Sequence, residues 1–273
     1  MYLVELRYPG GWVKLPDNSV AFKAQSLLHS IEGELVSLAL ALDGFQSALT
    51  KNDDLIEAAR AEMYRKREDL RRRAEGGVSD NAQDPEARAQ RPPLDDLFRQ
   101  RDPRVYLEAK LTEHRQRLAE GVEPQVYTHR RMFLYARTFL LTADLILSLL
   151  DKLSGIVGSP PELEAVIASL EGALPNLHKT RNSSAHIEQR LVGERQNGKA
   201  IDAKPYESLP FIKTAGGGML IENLEGTWFG STLENGDHGK INVVPETIDT
   251  LVAHVQQAIN ALQWTGHPSV YPS

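Results

Sequence analysis

Between Tyr127 and Leu153 the chain carries an apolar pattern too broad for one side of a helix. Met132, Phe133, Tyr135, Ala136, Phe139, Leu140, Ala143, Leu147 and Leu150 keep helical spacing. Together they cover more of the surface than the stripe of an ordinary amphipathic helix. A helix that is apolar on most sides must be covered on most sides, so the spacing predicts a central helix with other elements layered around it. Thr142, Asp144 and Ser148 interrupt the Phe139 to Leu150 stretch. That stretch reads as too short and too polar for a bilayer span, so no membrane partner is expected.

Other segments supply the covering layers. Asn18 or Ser19 caps a long helix with Phe22, Leu27, Leu28, Ile31, Leu35, Leu38 and Leu42 at helical intervals. A second, highly charged helix is expected from about Asp53 to Arg73, and a third from about Leu94 to Glu120, interrupted near Pro103. Residues 75 to 93 have almost no large apolar side chains and read as a flexible loop. Ser159-Pro160-Pro161-Glu162 opens a further helix, since proline fits a first helical turn. Pro175 divides that helix, and the second part runs from Asn176 to Leu191. Residues from about 205 to 245 change to glycine and β-branched residues. They predict a small antiparallel sheet with strands at Met219–Leu224, Thr227–Leu233 and Lys240–Val244, turning at Asn235 to Gly239. Glu246 to Gln263 closes the chain as an amphipathic helix. At the other end, Tyr2 to Leu15 reads as a hairpin turning at Pro9-Gly10-Gly11.

The expected fold is mainly α, a helical bundle with a small antiparallel sheet near the C-terminus. It divides into an N-terminal helical region, residues 1–120, and a second helical domain, residues 121–273, holding the sheet excursion. The chain has 273 residues, 41% of them hydrophobic, which suffices for a sizeable core. It has no cysteine, which excludes disulfides, thiolate metal sites and a cysteine nucleophile. With charges inside the first apolar run, the N-terminus does not read as a signal peptide, and a cytoplasmic location is expected. The net charge of −6 argues against a broad nucleic-acid-coating surface but leaves room for a local phosphate site.

The sharpest chemical signal is Arg181-Asn182-Ser183-Ser184-Ala185-His186. Positions four apart share a helix face, so His178, Asn182, His186 and Arg190 form one polar stripe. Arg181 lies about 140° from His186 on an ideal helix and reaches the same pocket only by its length or a distorted turn. An imidazole exchanges protons near neutral pH, and a guanidinium offers a fixed fork of donors to a phosphate. Arg130 and Arg131, near the start of the central helix, set positive charge against the helix dipole and suggest an anionic partner. The same charges are equally consistent with an offset by Glu123. The Arg60 to Arg73 run is interleaved with Glu57, Glu62, Glu68 and Asp69 and reads as a solvated face. Trp228 and Phe229 suit either a small core or base stacking. Glu234, Asp237 and His238 match no metal-ligand spacing, and no Walker, dinucleotide, nucleophile-elbow or His-Glu-x-x-His pattern occurs. No metal and no cofactor is expected.

Arginine, a polar residue, three residues and histidine resemble the signature of the HEPN superfamily, helical proteins that often act as RNases. The resemblance covers residues 125 to 194 and the final helix. It implies a metal-independent endoribonuclease, with Arg181, Asn182 and His186 catalytic and RNA as the substrate. His178, Arg190, Arg130 and Arg131 are the accompanying candidates for substrate binding. It implies a homodimer with a composite site, since one histidine does not easily serve as both acid and base. A toxin or defence role, with an antitoxin or regulatory partner, follows from the resemblance alone. The alternatives are a non-catalytic helical module that binds RNA, a nucleotide or a protein, and a scaffold.

Overall fold

The computed structural model describes residues 2–76, 103–208, 212–213 and 217–272. The protein is mainly α-helical, with a small antiparallel sheet near its C-terminus. The helices among the described residues are α1 (Asn18–Gly76), α2 (Pro103–Ala119), α3 (Gln125–Val157), α4 (Pro161–Ala173), α5 (Leu177–Ala185), α6 (Ile187–Leu191) and α7 (Pro245–Asn260). The chain forms two compact units. One combines Met1–Ser47 with Arg131–Ser273, and the other is Ala48–Arg130. This grouping differs from a division at residue 120, because the first 47 residues belong with the C-terminal half.

In the first unit, the buried side chains come chiefly from three helices. Phe139, Leu140, Ile146, Leu150 and Leu153 of α3 are fully buried, as are Leu28, Ile31, Leu35 and Leu38 of α1 and Ile248, Leu251 and Val255 of α7. The broad apolar surface of α3 is thus a core surface. By length and composition the whole of α3 does reach what a bilayer span requires, which the Phe139 to Leu150 stretch alone does not. The helix α4 opens with prolines at its start and packs along α7.

The first helix differs from expectation. The two helices expected on either side of residue 50 are one element, because no proline intervenes and Phe45, Ala48 and Asn52 are buried along it. In the second unit its charged turns carry ion pairs along the helix, Lys66 to Glu62 and Arg72 to Glu68, both at 2.7 Å. That is the pattern of a solvated face. The helix expected from Leu94 is described only from Pro103, and most of the expected 75–93 loop lies outside the described residues.

The N-terminal hairpin is absent. Its two strands exist, β1 (Leu6–Tyr8) and β2 (Trp12–Val13), but they pair with the chain's other end. β1 runs antiparallel to β9 (Ser269–Tyr271), and β2 to β8 (Trp264–Thr265). Trp264 explains the choice. Its ring meets Tyr8 edge-on at 5.3 Å, contact area that a hairpin with a Gly-Gly turn cannot offer. Gly10 permits the approach, since a side chain there would meet the Thr265 carbonyl at 2.6 Å.

The C-terminal sheet has the order β5 (Asn223–Glu225), β6 (Trp228–Thr232), β7 (His238–Asn242). A separate short pair is formed by β3 (Glu207–Ser208) and β4 (Ile212–Lys213). Phe229 opposes Ile241 across β6 and β7, and both are buried. The helix α5 packs on these two strands. Gly239 sets how closely: a β-carbon there would lie 2.3 Å from the Thr180 hydroxyl of α5 and 2.7 Å from Leu233. The Gly239→Ala variant is therefore expected to lose about 1–3 kcal/mol, the usual cost of overpacking. Gly33→Ala, at a helical position with open space around it, should gain up to about 1 kcal/mol. Urea midpoints of the two variants check this contrast.

Candidate functional site

The motif lies on α5, but the helix does not run through it to Leu191. At His186 the backbone leaves helical geometry, with φ −109° and ψ 46°, and this residue both ends α5 and precedes α6. Tertiary contacts explain the break. The Ser183 hydroxyl donates to the Thr232 carbonyl at 2.5 Å, fastening α5 to the sheet. Arg190 turns back to the same serine, its Nε donating to Ser183 Oγ at 3.0 Å. The expected His178, Asn182, His186, Arg190 stripe is therefore interrupted, and the Arg181 to His186 segment contains the distorted turn that an ideal helix lacks.

Arg181 is aimed by a buried carboxylate. Asp144, projecting from the apolar helix α3, has a side chain only 1% exposed. It accepts from Arg181 Nε at 2.8 Å and pairs with His178 Nδ1 at 3.0 Å. A carboxylate buried in apolar surroundings costs several kcal/mol unless it is paired. These two groups of α5 supply the pairing while remaining accessible themselves, Arg181 at 36% and His178 at 60%. Arg181 also donates through Nη1 to Asn182 Oδ1 at 2.9 Å, and its Nη2 makes no hydrogen bond among the described residues.

Next to Arg181, Asn182 lines a cavity of about 250 Å³ with Lys179, Gln196, Leu233, Glu234 and Asn235. His186 joins this cavity through Gln196, whose Nε2 lies 2.6 Å from His186 Nε2. In this contact the carboxamide N–H donates and His186 Nε2 accepts. Glu188, 3.7 Å from His186 Nδ1, is too far for a hydrogen bond. The polar groups thus form a chain from Asp144 through Arg181 and Asn182 to the cavity, and from the cavity through Gln196 to His186.

Two expected binding residues lie elsewhere, and one has another task. Arg190 is 1% exposed and fully engaged, with Ser183, the Glu194 carbonyl at 2.6 Å and Glu234 at 3.1 Å. It braces the fold and has no free edge for a phosphate. Arg131 sits on α3 thirteen residues before Asp144, about 20 Å along the axis, so it does not join the cluster. Arg130 falls in the other unit. Glu123, the expected offset for these charges, pairs with Lys51 at 2.8 Å. Asp237 pairs with Lys204 at 2.6 Å, while His238 turns to Asn223 at 2.7 Å. Among the described residues no three His, Asp or Glu side chains gather as metal ligands would.

Asp144, Gln196 and Glu234 were not among the expected site residues. Its place as the one acidic residue within the apolar Phe139 to Leu150 stretch was the available signal for Asp144, because a buried charge requires a partner.

No protein-family model, no curated protein and no solved structure matches this chain significantly.

The Glu234 carboxyl is held below its ordinary value of 4.5, first by the Gln196 backbone N–H and then by Arg190. A carboxyl with a lowered folded-state pKa adds stability above its ordinary value, and that contribution disappears as pH falls through 4.5 and below. The urea-midpoint difference between wild type and Glu234→Gln should thus be largest near neutral pH and close on acidification. A difference that persists unchanged to about pH 3 would contradict this linkage.

Proposed function

We propose that this chain is a metal-independent endoribonuclease of the HEPN type, acting as a homodimer with a composite site. The observation that carries the reading is the relay of hydrogen bonds that ties the motif to one cavity: Asp144 anchors Arg181, Arg181 holds Asn182 at the cavity wall, and Gln196 links that wall to His186, with Arg181 Nη2 making no hydrogen bond among the described residues. In this reading Arg181 holds the scissile phosphate and the charge that develops on it. Asn182 fixes the guanidinium and presents its amide to the same phosphate. His186 Nε2, now an acceptor from Gln196, takes the proton of the ribose 2′-OH once the nucleotide displaces that amide. The 2′-oxygen attacks phosphorus, the bond to the 5′-oxygen breaks, and the leaving oxygen takes a proton from a second imidazole.

That second imidazole comes from another copy of the chain. His178 is tied to Asp144 and lies eight residues before His186, about 12 Å along the helix. It therefore acts as a holder of Asp144 and a contact for the substrate strand. A toxin or defence role, with an antitoxin or other regulator, rests on the family resemblance alone.

The Gln196 contact also favours a second reading, a module that binds RNA or a nucleotide without cutting it, because the histidine lone pair is already engaged. Cleavage assays separate the two. Single-stranded RNA should be cut in EDTA to products ending in a 2′,3′-cyclic phosphate, and DNA should remain intact. His186→Ala should lower the rate by about 10²–10⁴-fold. RNA bound but never cut supports the binding module. Activity abolished by the chelator, or unaltered in His186→Ala, rejects the mechanism.

A further inference from the structure

One aromatic ring is left where the core has no use for it. In β6 the residues Phe229, Gly230, Ser231 and Thr232 are buried, yet Trp228 keeps 40% of its surface exposed. The ring flanks a cavity of about 490 Å³, well within the size range of small-ligand sites. Leu174, Leu177 and Ile241 give that cavity an apolar wall. Lys240 places its ammonium 4.8 Å from the Trp228 ring centroid.

Two amides supply polar edges. Asn242 accepts from the Thr227 hydroxyl at 2.6 Å through Oδ1, which fixes the carboxamide and leaves its NH₂ as the available donor. Asn176, the residue that opens α5, makes no side-chain cap hydrogen bond. Glu246 also lines the cavity and offsets the Lys240 charge. An apolar slot with one exposed indole, two amides and little net charge suits a flat, largely uncharged, hydrogen-bonding ring better than a multiply charged anion.

The position relates the slot to the motif. Asn176 immediately precedes α5, and Lys179 and Asn182 follow it at intervals of three. Asn176 lines the 490 Å³ cavity, while Lys179 and Asn182 line the 250 Å³ cavity. The two asparagines are six positions apart, about 9 Å at the rise of a helix. A lysine therefore stands between the two openings, where a backbone phosphate of a strand running from one to the other would pass.

We infer that the Trp228 cavity is a base-binding subsite, which seats one nucleobase of the RNA strand beside the cleaved linkage. Trp228 stacks on the base, Asn176 and Asn242 read its edge, and Lys240 meets the attached phosphate. The assignment of the ligand to RNA rests on the ribonuclease reading above, whereas binding of a base does not require cleavage.

The test uses the full chain and two readouts, mononucleotide binding and base preference. Titrations with AMP, GMP, CMP and UMP, followed by calorimetry in every variant and by the indole N–H resonance of Trp228 where that residue is present, report affinity and occupancy of the slot. Oligoribonucleotides varied at each position around the cut report base preference. At least one nucleotide should shift the Trp228 signal saturably. The affinity should fall at least tenfold in Asn176→Gly, which keeps the left-handed backbone at φ 64°, and recover in part in Trp228→Phe relative to Trp228→Ala. Preference at one position flanking the cut should flatten in the same variants. If no mononucleotide moves the Trp228 resonance, the subsite is rejected even where RNA is cleaved. It is rejected equally if base preference and affinity are unchanged in Asn176→Gly and Trp228→Ala. Binding without any cleavage upholds the subsite and removes the ribonuclease reading instead.

Discussion

One buried carboxylate in the apolar stretch of α3 governs the arrangement of the candidate site. Asp144 occupies a position on α3 whose neighbours Ala143 and Ile146 are fully buried. Left alone there, it would have to neutralise or unfold its surroundings. Arg181 and His178 prevent this, and both come from the first turns of α5. The pairing therefore does two things. It fixes the rotation of α5 against α3, and it removes one edge of the Arg181 guanidinium from solvent while leaving another open. The cost of breaking one partner is large, about 3–5 kcal/mol for buried pairs, reduced here because both partners are half in solvent.

The remainder of the site is built by similar trades between burial and hydrogen bonding. Arg190 is the largest fully buried side chain among the described residues, and its three polar contacts join α6 to α5, to the segment after α6 and to the turn before β7. Because it pulls back toward Ser183, the chain cannot continue as one helix through His186. That imidazole is consequently carried on a bend next to Gln196 rather than on a helical face. Gly239 contributes by subtraction, letting Thr180 approach the sheet closely enough for Ser183 to reach the Thr232 carbonyl.

What sequence reasoning reached and what it missed divide along physical lines. The wide apolar spacing of α3, the prolines that open α4 and the turn residues before β7 are local signals, and the elements they indicate are present. The sheet strands sit within a few residues of their expected positions. Strand pairing across the ends was invisible because its partners lie about 250 residues apart and Trp264 sits in a short segment with no period of its own. The continuity of α1 was missed because a polar stretch, Thr50 to Asp53, looked like a boundary although nothing in it forbids helix. Within the motif, Arg181, Asn182 and His186 could be picked out by residue type. Their support could not, since Asp144 and Gln196 come from other parts of the chain and Arg190 read as a substrate-binding candidate rather than a buried brace.

The candidate site depends on Asp144 acting through Arg181. A double-mutant cycle on single-turnover RNA cleavage measures that directly, using Asp144→Asn, Arg181→Gln and the double variant. If the carboxylate works by holding the guanidinium, the double variant cleaves no more slowly than Arg181→Gln alone, and Asp144→Asn alone is impaired. Independent, additive losses would contradict the account, and so would an Asp144→Asn protein that cuts at the wild-type rate.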